Sequence, residues 1–317
     1  MVVVVSNPVS GRNKRDPRII PALDAVLAAD PTVPSRHLKP VSPEGLDDLA
    51  RELRAEPHLA AVCVNGGDGT LAHVLSALAR TWDGDPLPPI GILRGGTMNT
   101  VAHGIGLTGR PAGILGRILA RQAQGQPQPT VNRHLMRIRD GLGLDRYGFL
   151  FGNGVISNFL EAYYEGGDAS PVKGARILAR AVVSAVVGGA FARRLTRPTR
   201  VRASLDGHRW TPDAYMAVAA GTVDDMGLGF KPFWAVTRHP GQLQALGFAC
   251  SPFALAVRIP GTQVSRPWGH PAIVDLLGAR LVLTADEPIA YMIEGDFHRG
   301  GQQVEVEVGP PVPLVHR

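Results

Sequence analysis

The sequence predicts an N-terminal α/β domain with a parallel, doubly wound sheet, followed by a β-rich domain with an antiparallel, sandwich-like arrangement. Two observations lead to this prediction. In the first 125 residues, short apolar runs alternate with helical patterns, as in β-loop-α units. From Thr130 onward, short runs with strand-like alternation and frequent turn residues dominate. A Gln/Pro/Gly stretch at residues 122–129 is typical of a linker, so we predict domains at residues 1–125 and 126–317.

The elements of the first domain follow from its apolar spacing. Continuous apolar runs predict three buried strands, at residues 2–5, 60–64 and 89–93. A helix is expected where Ser42 can cap it and Pro43 can occupy its first position. Apolar residues at helical spacing predict further helices at residues 17–29, 70–80 and 97–103.

The second domain is predicted to contain seven strand-like runs and one long helical segment. The runs lie at residues 135–139, 147–151, 200–205, 214–219, 280–284, 289–293 and 303–308. The helical segment, residues 172–195, is rich in Ala, Val and Gly and is closely followed by several arginines. Such a segment suits either an interfacial helix on a membrane or a core helix with solvated arginines nearby, and the second interpretation is favoured.

Composition excludes several classes of protein. The chain has 317 residues, of which 44% are hydrophobic and 19% charged, so it is globular rather than disordered. Its two cysteines fit a reducing cytosol, and no zinc-binding spacing occurs. No apolar run is long enough for a signal or spanning segment, so we expect a cytoplasmic protein, soluble or peripheral on a membrane. The net charge of +6 suits phosphorylated ligands or anionic lipids better than nucleic acid, for which no motif is present.

Three glycine-rich loops, each directly after a predicted strand, carry the main functional signal. They are Asn-Pro-Val-Ser-Gly-Arg at residues 7–12 (loop 1), Asn-Gly-Gly-Asp-Gly-Thr at 65–70 (loop 2) and Arg-Gly-Gly-Thr-Met-Asn at 94–99 (loop 3). The carboxyl ends of parallel strands meet at one edge of a sheet, where ligands bind. Glycines allow close backbone approach, and helix N-termini attract anions. The sequence therefore predicts a phosphate-binding crevice.

The phosphate site does not match the common nucleotide motifs. No GxxxxGK[ST] loop and no protein-kinase signature is present. Residues 67–72 fit the letters of a dinucleotide fingerprint, but the acidic residue expected at the end of the next strand is missing. An ordinary Rossmann oxidoreductase is therefore disfavoured.

The three motifs at these distances resemble the diacylglycerol kinase-like catalytic domain, shared by bacterial lipid kinases and by sphingosine and ceramide kinases. NAD kinases are more distant relatives, and Asn-Pro-x-Ser-Gly favours the lipid-kinase branch. Residues 227–232 resemble the family's second glycine-rich segment, and Glu294-Gly295-Asp296 stands where the family usually has Asp-Gly-Glu. The resemblance implies an ATP-binding domain, a lipid-facing domain, and magnesium-assisted phosphoryl transfer.

The resemblance also implies roles for individual residues. Asp68 would meet magnesium or accept the substrate hydroxyl proton, and Glu294 and Asp296 would assist catalysis. A loop-bracing role for Asp68 and a plain hairpin turn at residues 294–296 are the alternatives. Nucleotide binding is implied for Asn7, Ser10, Gly11, Gly66, Gly67, Gly69, Thr70, Gly96, Thr97 and Asn99.

This chain departs from the family pattern in three places. Thr100 stands where an Asp usually follows the Asn of the third motif, and the two acids of the Asp-Gly-Glu motif are exchanged. Residues 237–246 lack an acidic pair that many bacterial relatives use for a structural metal, so no metal ligands are assigned. The departures favour an unusual substrate or a loss of activity.

The function predicted from the sequence is an ATP-dependent lipid kinase that phosphorylates a lipid hydroxyl, of diacylglycerol or sphingoid/ceramide type, at a membrane surface. A kinase for a soluble nucleotide, similar to NAD kinase, is one alternative. A non-catalytic nucleotide- or lipid-binding homologue is the other, and Thr100 and the exchanged acids support it.

Overall fold

A computed structural model describes residues 1–39, 44–164, 171–227 and 229–316. The chain forms two compact units. Unit 1 comprises Met1–Arg133 together with Pro310–Arg317, and unit 2 comprises His134–Gly309. The last residues of the chain therefore belong to the same unit as the first.

Unit 1 alternates strands and helices, as expected. Its elements are β1 (Val2–Ser6), α1 (Gly11–Arg15), α2 (Ile19–Ala28), β2 (Ser35–Leu38), α3 (Glu44–Arg54), β3 (Ala61–Asn65), α4 (Asp68–Trp82), β4 (Ile90–Ile92), α5 (Thr100–Gly104) and α6 (Pro111–Ala123). The three strands predicted from apolar runs are all present. The predicted cap by Ser42 and Pro43 lies outside the described residues.

The sheet of unit 1 is parallel, in the order β2-β1-β3-β4, and Leu314 lies beside Ile90 at the β4 side. Every residue of β1, β3 and β4 is buried, as in a sheet covered on both faces. From β1 the chain moves first to β2 on one side and later to β3 on the other. The carboxyl ends of β1 and β3 therefore flank the switch point at which doubly wound sheets bind ligands.

Unit 2 contains the remaining elements. They are β5 (Thr130–Asp140, which starts in unit 1), β6 (Asp145–Gly148), β7 (Leu150–Asn153), α7 (Val155–Tyr164), α8 (Pro171–Val186), α9 (Ala190–Leu195), β8 (Thr199–Arg200), β9 (Arg202–Leu205), β10 (His208–Arg209), β11 (Ala214–Tyr215), β12 (Ala217–Gly221), β13 (Leu243–Phe248), α10 (Pro252–Ala256), α11 (Ile259–Thr262), β14 (Ile273–Gly278), β15 (Arg280–Thr284), β16 (Ala290–Ile293), β17 (Asp296–Arg299) and β18 (Gln303–Val315, which ends in unit 1). A 3₁₀ turn covers Val236–Arg238.

The strands of unit 2 form two main antiparallel sheets. One has the order β14-β13-β12-β7-β16-β17, and the other contains β10-β9-β15-β18 with β5 and β6. Their inward side chains form one buried cluster in which Phe151 and Tyr291 of the first sheet meet Leu281, Leu283 and Val304 of the second. This arrangement confirms the predicted fold class.

The segment predicted as one long helix is two helices, α8 and α9. The break falls at Gly188, whose φ of +65° lies in the left-handed region that glycine adopts without strain. The expectation of a core helix is wrong for α8. Gly174 is the only buried residue among those of α8 whose side chains the structure describes, and Val172 and Val183 are 69% and 63% exposed.

Two further sequence expectations have outcomes in the structure. Cys63 and Cys250 are both buried and form no disulfide. Burial raises the pKa of the Cys63 thiol to about 12, which leaves it without the thiolate that cysteine chemistry needs. Within the described ranges, every helix is too short or too polar to cross a membrane.

Candidate functional site

The three glycine-rich loops come together at the carboxyl edge of the unit 1 sheet. Asn7 of loop 1 donates through its backbone N–H to the Asn65 carbonyl (2.9 Å) and through Nδ2 to Thr70 Oγ1 of loop 2 (2.9 Å). Ser10 of loop 1 donates through Oγ to the carbonyl of Gly95 in loop 3 (2.9 Å). The convergence predicted from the strand order is therefore present as direct contacts.

Close approach of the loops explains their glycines. A Cβ on Gly96 would lie 2.2 Å from the Cα of Gly67, so loops 2 and 3 touch backbone to backbone. A Cβ on Gly11 would lie 2.0 Å from Thr97 Oγ1, so the backbone of loop 1 packs against a side chain of loop 3. Gly66 likewise lies against the Thr70 side chain. These glycines are needed for space rather than for a left-handed backbone.

Asn99 acts within its own loop. Its Nδ2 donates to the Gly96 carbonyl (2.9 Å) and its Oδ1 accepts the Gly96 N–H (3.1 Å), while its φ of +50° is one that asparagine tolerates. The side chain is buried, so its amide shapes loop 3. Both of these interactions place Asn99 in the site as a positioning residue.

A network of buried, hydrogen-bonded polar side chains, which the sequence did not indicate, supports the backbone of the loops. Asn13 of α1 donates through Nδ2 to the carbonyls of Asn7 (2.8 Å) and Asn65 (3.2 Å). Asn65 Nδ2 donates to Ser6 Oγ (3.0 Å), which lies 2.7 Å from His37 Nε2. His37 Nδ1 in turn contacts Asp24 on α2. Ser6 has no exposed surface, so this Ser-His-Asp chain is a structural support and not a hydrolytic triad. These residues carry no motif, which is why only the structure finds them.

Asp68 is the first residue of α4 and the only acidic residue of the three loops. Its Oδ1 accepts the N–H of Val101 (3.3 Å), and Thr100 also hydrogen-bonds the carboxylate. Burial raises the pKa of Asp68, and the hydrogen bonds from Thr100 and Val101 oppose that shift. Asp68 thus ties the start of α4 to the start of α5, which matches its loop-bracing alternative. Gly69 and Thr70 follow it in the first turn of α4, where backbone N–H groups have no partner within the helix.

Two arginines within the loops, Arg12 of loop 1 and Arg94 of loop 3, were not singled out by the sequence. Arg12 donates to the Arg94 carbonyl (3.5 Å), and the pKa of Arg94 is lowered by burial and by the charge of Arg12. Arg94 has a φ of +57°, a conformation that costs free energy in a residue other than glycine. Arg94 is thus a partly desolvated cation close to a second positive charge, and a bound anion would stabilise it.

The acidic pair predicted for catalysis lies in unit 2, on the turn between β16 and β17. Glu294 is buried, and its Oε1 accepts the backbone N–H groups of Phe149 and Leu150, the latter at 2.9 Å. Asp296 starts β17, with a side chain 45% exposed and 3.8 Å from Arg146. The exchange of acids therefore puts the longer side chain on the backbone of the β6–β7 turn and the shorter one at the surface.

The glycine-rich segment of unit 2 that the sequence singles out begins at Gly227, two residues after Asp225. Gly227 donates its N–H to Asp225 Oδ1 (2.7 Å) and forms a bridge with Phe230, while Leu228 lies outside the described residues. Across the described part of the chain, no cluster of three or more His, Cys, Asp or Glu residues is arranged to hold a metal ion.

The sequence of residues 1–126 matches the model of the diacylglycerol kinase catalytic domain. Over this region the chain is similar to the catalytic domain of that kinase family. The match ends close to the predicted domain boundary and contains all three loops. No curated protein sequence matches the chain.

Solved structures from Bacillus anthracis str. Sterne share the fold over the whole chain. A diacylglycerol kinase from this organism has a TM-score of 0.62 and 15% identity and covers 100% of this chain and 96% of its own. A second structure, assigned the same activity only provisionally, has a TM-score of 0.67 and 14% identity with the same coverage. At this identity the likeness establishes the fold, including that of unit 2, which the family model does not reach.

The backbone contact between the kinase-family loops gives a stability prediction. Gly96→Ala is expected to destabilise the protein by about 1–3 kcal/mol, because the new Cβ must push loop 2 away from loop 3. Gly113→Ala is the matched control, since it adds the same atom to α6 with nothing within 4 Å. Denaturant unfolding measures both, and the control is expected to be neutral or slightly more stable. Equal midpoints for the two variants would contradict the close approach.

The environment of Asp68 gives a pH prediction. Because the folded protein raises the pKa of Asp68, ionising it costs stability, and that cost is absent at low pH and appears as pH rises through the folded pKa. Asp68→Asn is therefore expected to gain stability relative to the parent as pH rises from the acidic range towards neutrality.

Asp16 provides the opposite case for the same experiment. Its hydrogen bond with Arg18 lowers the pKa of Asp16, so the stability it contributes is present at neutral pH and is lost on acidification. Asp16→Asn should lose stability relative to the parent over the range in which Asp68→Asn gains it. Thermal unfolding across pH gives both trends, and parallel trends would show that Asp68 is not held in a desolvated position.

Proposed function

We propose that the protein is an ATP-dependent lipid kinase that transfers the γ-phosphoryl group of ATP to a hydroxyl of a lipid. The observation that carries this proposal is the meeting of the three loops at the switch point of the parallel sheet, within the region that matches the kinase family. Phosphoryl transfer depends mainly on positioning and charge neutralisation, and this edge of unit 1 offers the groups for both.

The triphosphate would bind where the loops leave room for it. The N–H groups at the start of α4, in the turn containing Gly69 and Thr70, are donors for phosphate oxygens. Arg12 and Arg94 would supply the positive charge, and bound phosphate would remove the repulsion between them. Asn7, Ser10 and Asn99 hold the loops in register through the contacts described above.

Asp68 is the residue of the loops that fits magnesium. A magnesium ion typically takes one or two carboxylates and completes its shell with water and phosphate oxygens, which a single Asp satisfies. When bound, the ion would neutralise charge on the β- and γ-phosphates. The hydrogen bonds from Thr100 and Val101 would fix the orientation of the carboxylate in the absence of a second acid at position 100.

The acceptor is proposed to be a lipid hydroxyl, by analogy with the family and with the diacylglycerol kinase that shares the fold. In the transfer, the hydroxyl oxygen bonds to the γ-phosphorus, the bond to the β–γ bridging oxygen breaks, and ADP leaves. A carboxylate within reach of the hydroxyl could accept its proton. Asp296 suits that role better than Glu294, because its side chain is half-exposed whereas Glu294 is occupied by backbone N–H groups.

The direct test is transfer of label from γ-labelled ATP into mixed micelles that contain diacylglycerol, sphingosine, ceramide or monoacylglycerol. The parent is expected to label one of these lipids, and Asp68→Asn is expected to lower the rate at least about a hundredfold, since it removes the negative charge that would hold magnesium beside the phosphates. Asp296→Asn should lower the rate as well, and Asp286→Asn, on an exposed turn, serves as the control.

The same assay separates the alternatives. ATP binding without any labelled lipid would favour the non-catalytic homologue, for which Thr100 and the bracing role of Asp68 are the structural support. Labelling of a soluble nucleotide instead of a lipid would favour a kinase similar to NAD kinase. Full activity of Asp68→Asn would refute its proposed role while leaving the kinase assignment intact.

The arginine pair gives a separate binding prediction. Arg12→Gln is expected to weaken ATP binding by roughly 10- to 100-fold, as expected for the loss of a charge-assisted hydrogen bond to phosphate. Arg15→Gln makes the same change at an exposed position of α1 and should bind ATP like the parent. Titration calorimetry at two salt concentrations measures the difference, which should shrink at high salt. Equal affinities of the two variants would remove Arg12 from the site.

A further inference from the structure

Exposed apolar side chains of unit 2 are concentrated on two neighbouring helical segments. Of the ten large apolar side chains that are strongly exposed in the described part of the chain, six lie on α8, just after it, or on the segment of α10 and α11. We call these six the apolar surface: Val172, Val183, Val187, Phe253, Val257 and Val264. The exposed fractions range from 50% for Val257 to 74% for Val187.

The positions follow helical geometry. Val183 and Val187 are four residues apart, as are Phe253 and Val257, so the members of each pair project from the same side of their helical segment. Helices α8 and α10 contact each other, which makes the two stripes neighbours on unit 2. An exposed apolar patch of this kind is typical of an interaction site rather than of ordinary surface.

Basic residues predominate along the two segments that carry the apolar surface. Residues 171–205 contain eight Lys or Arg residues and no Asp or Glu, and residues 249–274 contain two Arg residues and no acid. Arg176 and Arg180 lie on the exposed side of α8 between Val172 and Val183, and Arg180 also stacks over the Phe191 ring at 4.3 Å. Aliphatic residues with long basic side chains beside them are the pattern of helices that lie in a membrane interface.

A cleft beside α11 adds to this pattern. It has a volume of about 200 Å³ and is lined by Val257 of the apolar surface, by Arg258 and Arg266, and by Thr262 and Trp268. The Thr262 hydroxyl and the Trp268 indole already donate to the carbonyls of Ile259 and Pro232, so they are not free for a ligand. The cleft therefore contributes the positive charge of Arg258 and Arg266 beside the apolar surface.

We propose that the apolar surface docks unit 2 onto a bilayer of anionic phospholipids, with its valines and Phe253 at the acyl boundary and the surrounding arginines among the headgroups. A second copy of this chain is a poor occupant, because it would bring the same positive charges against these ones. This inference rests on the proposed lipid-kinase function, because docking would bring the enzyme to its lipid substrate.

The experiment is cosedimentation of the full chain with phosphatidylcholine vesicles and with mixed phosphatidylcholine/phosphatidylglycerol vesicles, without nucleotide or substrate lipid. Binding to the mixed vesicles is expected, with little binding to phosphatidylcholine alone and a loss at high salt. Val183→Glu and Phe253→Glu are each expected to lower the affinity at least about tenfold. Arg176→Gln and Arg180→Gln should each lower it by about fivefold.

Leu142→Glu is the matched control, since it puts the same charge on an equally exposed apolar residue outside the apolar surface. Parent-like binding is expected for this variant, and thermal unfolding verifies that all variants fold. The proposal is overturned if the parent ignores anionic vesicles, if Leu142→Glu weakens binding as much as Val183→Glu does, or if Val183→Glu instead abolishes a dimer seen by light scattering.

The failure of this proposal and that of the lipid-kinase function are distinguishable, because vesicle binding is measured without ATP. Docking with no labelled lipid in the transfer assay would support the surface and refute the kinase. Phosphoryl transfer to lipid in detergent micelles, without binding to vesicles, would support the lipid kinase and refute the docking surface.

Discussion

The candidate site depends on one steric constraint, the contact of loops 2 and 3 at Gly67 and Gly96. With 2.2 Å between a notional Cβ of Gly96 and the Cα of Gly67, no other residue type fits without separating the loops. That contact brings the start of α4 next to the start of α5, and only then does the Asp68 carboxylate reach the N–H of Val101. The charge distribution of the site is therefore a consequence of backbone packing.

The same packing holds two charged side chains in surroundings that disfavour their charge. Asp68 is held where burial disfavours its charged form, and Arg94 is held where burial and Arg12 disfavour its charge as well. Both charged side chains therefore lower the stability of the fold. A cation bound to the Asp68 carboxylate and a phosphate bound to the arginines would offset these two unfavourable contributions. The free energy that these charges cost the free protein would be recovered when the ligands bind.

Features encoded in a continuous stretch of sequence, such as strands and loops, were predictable. Features that depend on contacts between residues far apart in the sequence were not. The all-valine β1 and the glycine loops are local signals, so the parallel sheet and the position of the crevice were predictable. The polar β2 gives no apolar run, and the support of Asn65 by Ser6 and His37 joins residues from three strands without any motif. The apolar composition of α8 suggested that this helix is buried. The exposure of the Val183 side chain in the structure shows that it is not.

The strand β18 has a consequence for how this protein is made. It begins in unit 2 at Gln303, and its end places Leu314 beside Ile90 in unit 1. The edge of β4 thus acquires this neighbour only after residues 303–315 have been synthesised, although β4 itself is synthesised more than two hundred residues earlier. Domains usually fold as their own sequence emerges, but here the edge of β4 stays open throughout the synthesis of unit 2. Residues 1–126, cut out as a domain, would keep that open edge permanently.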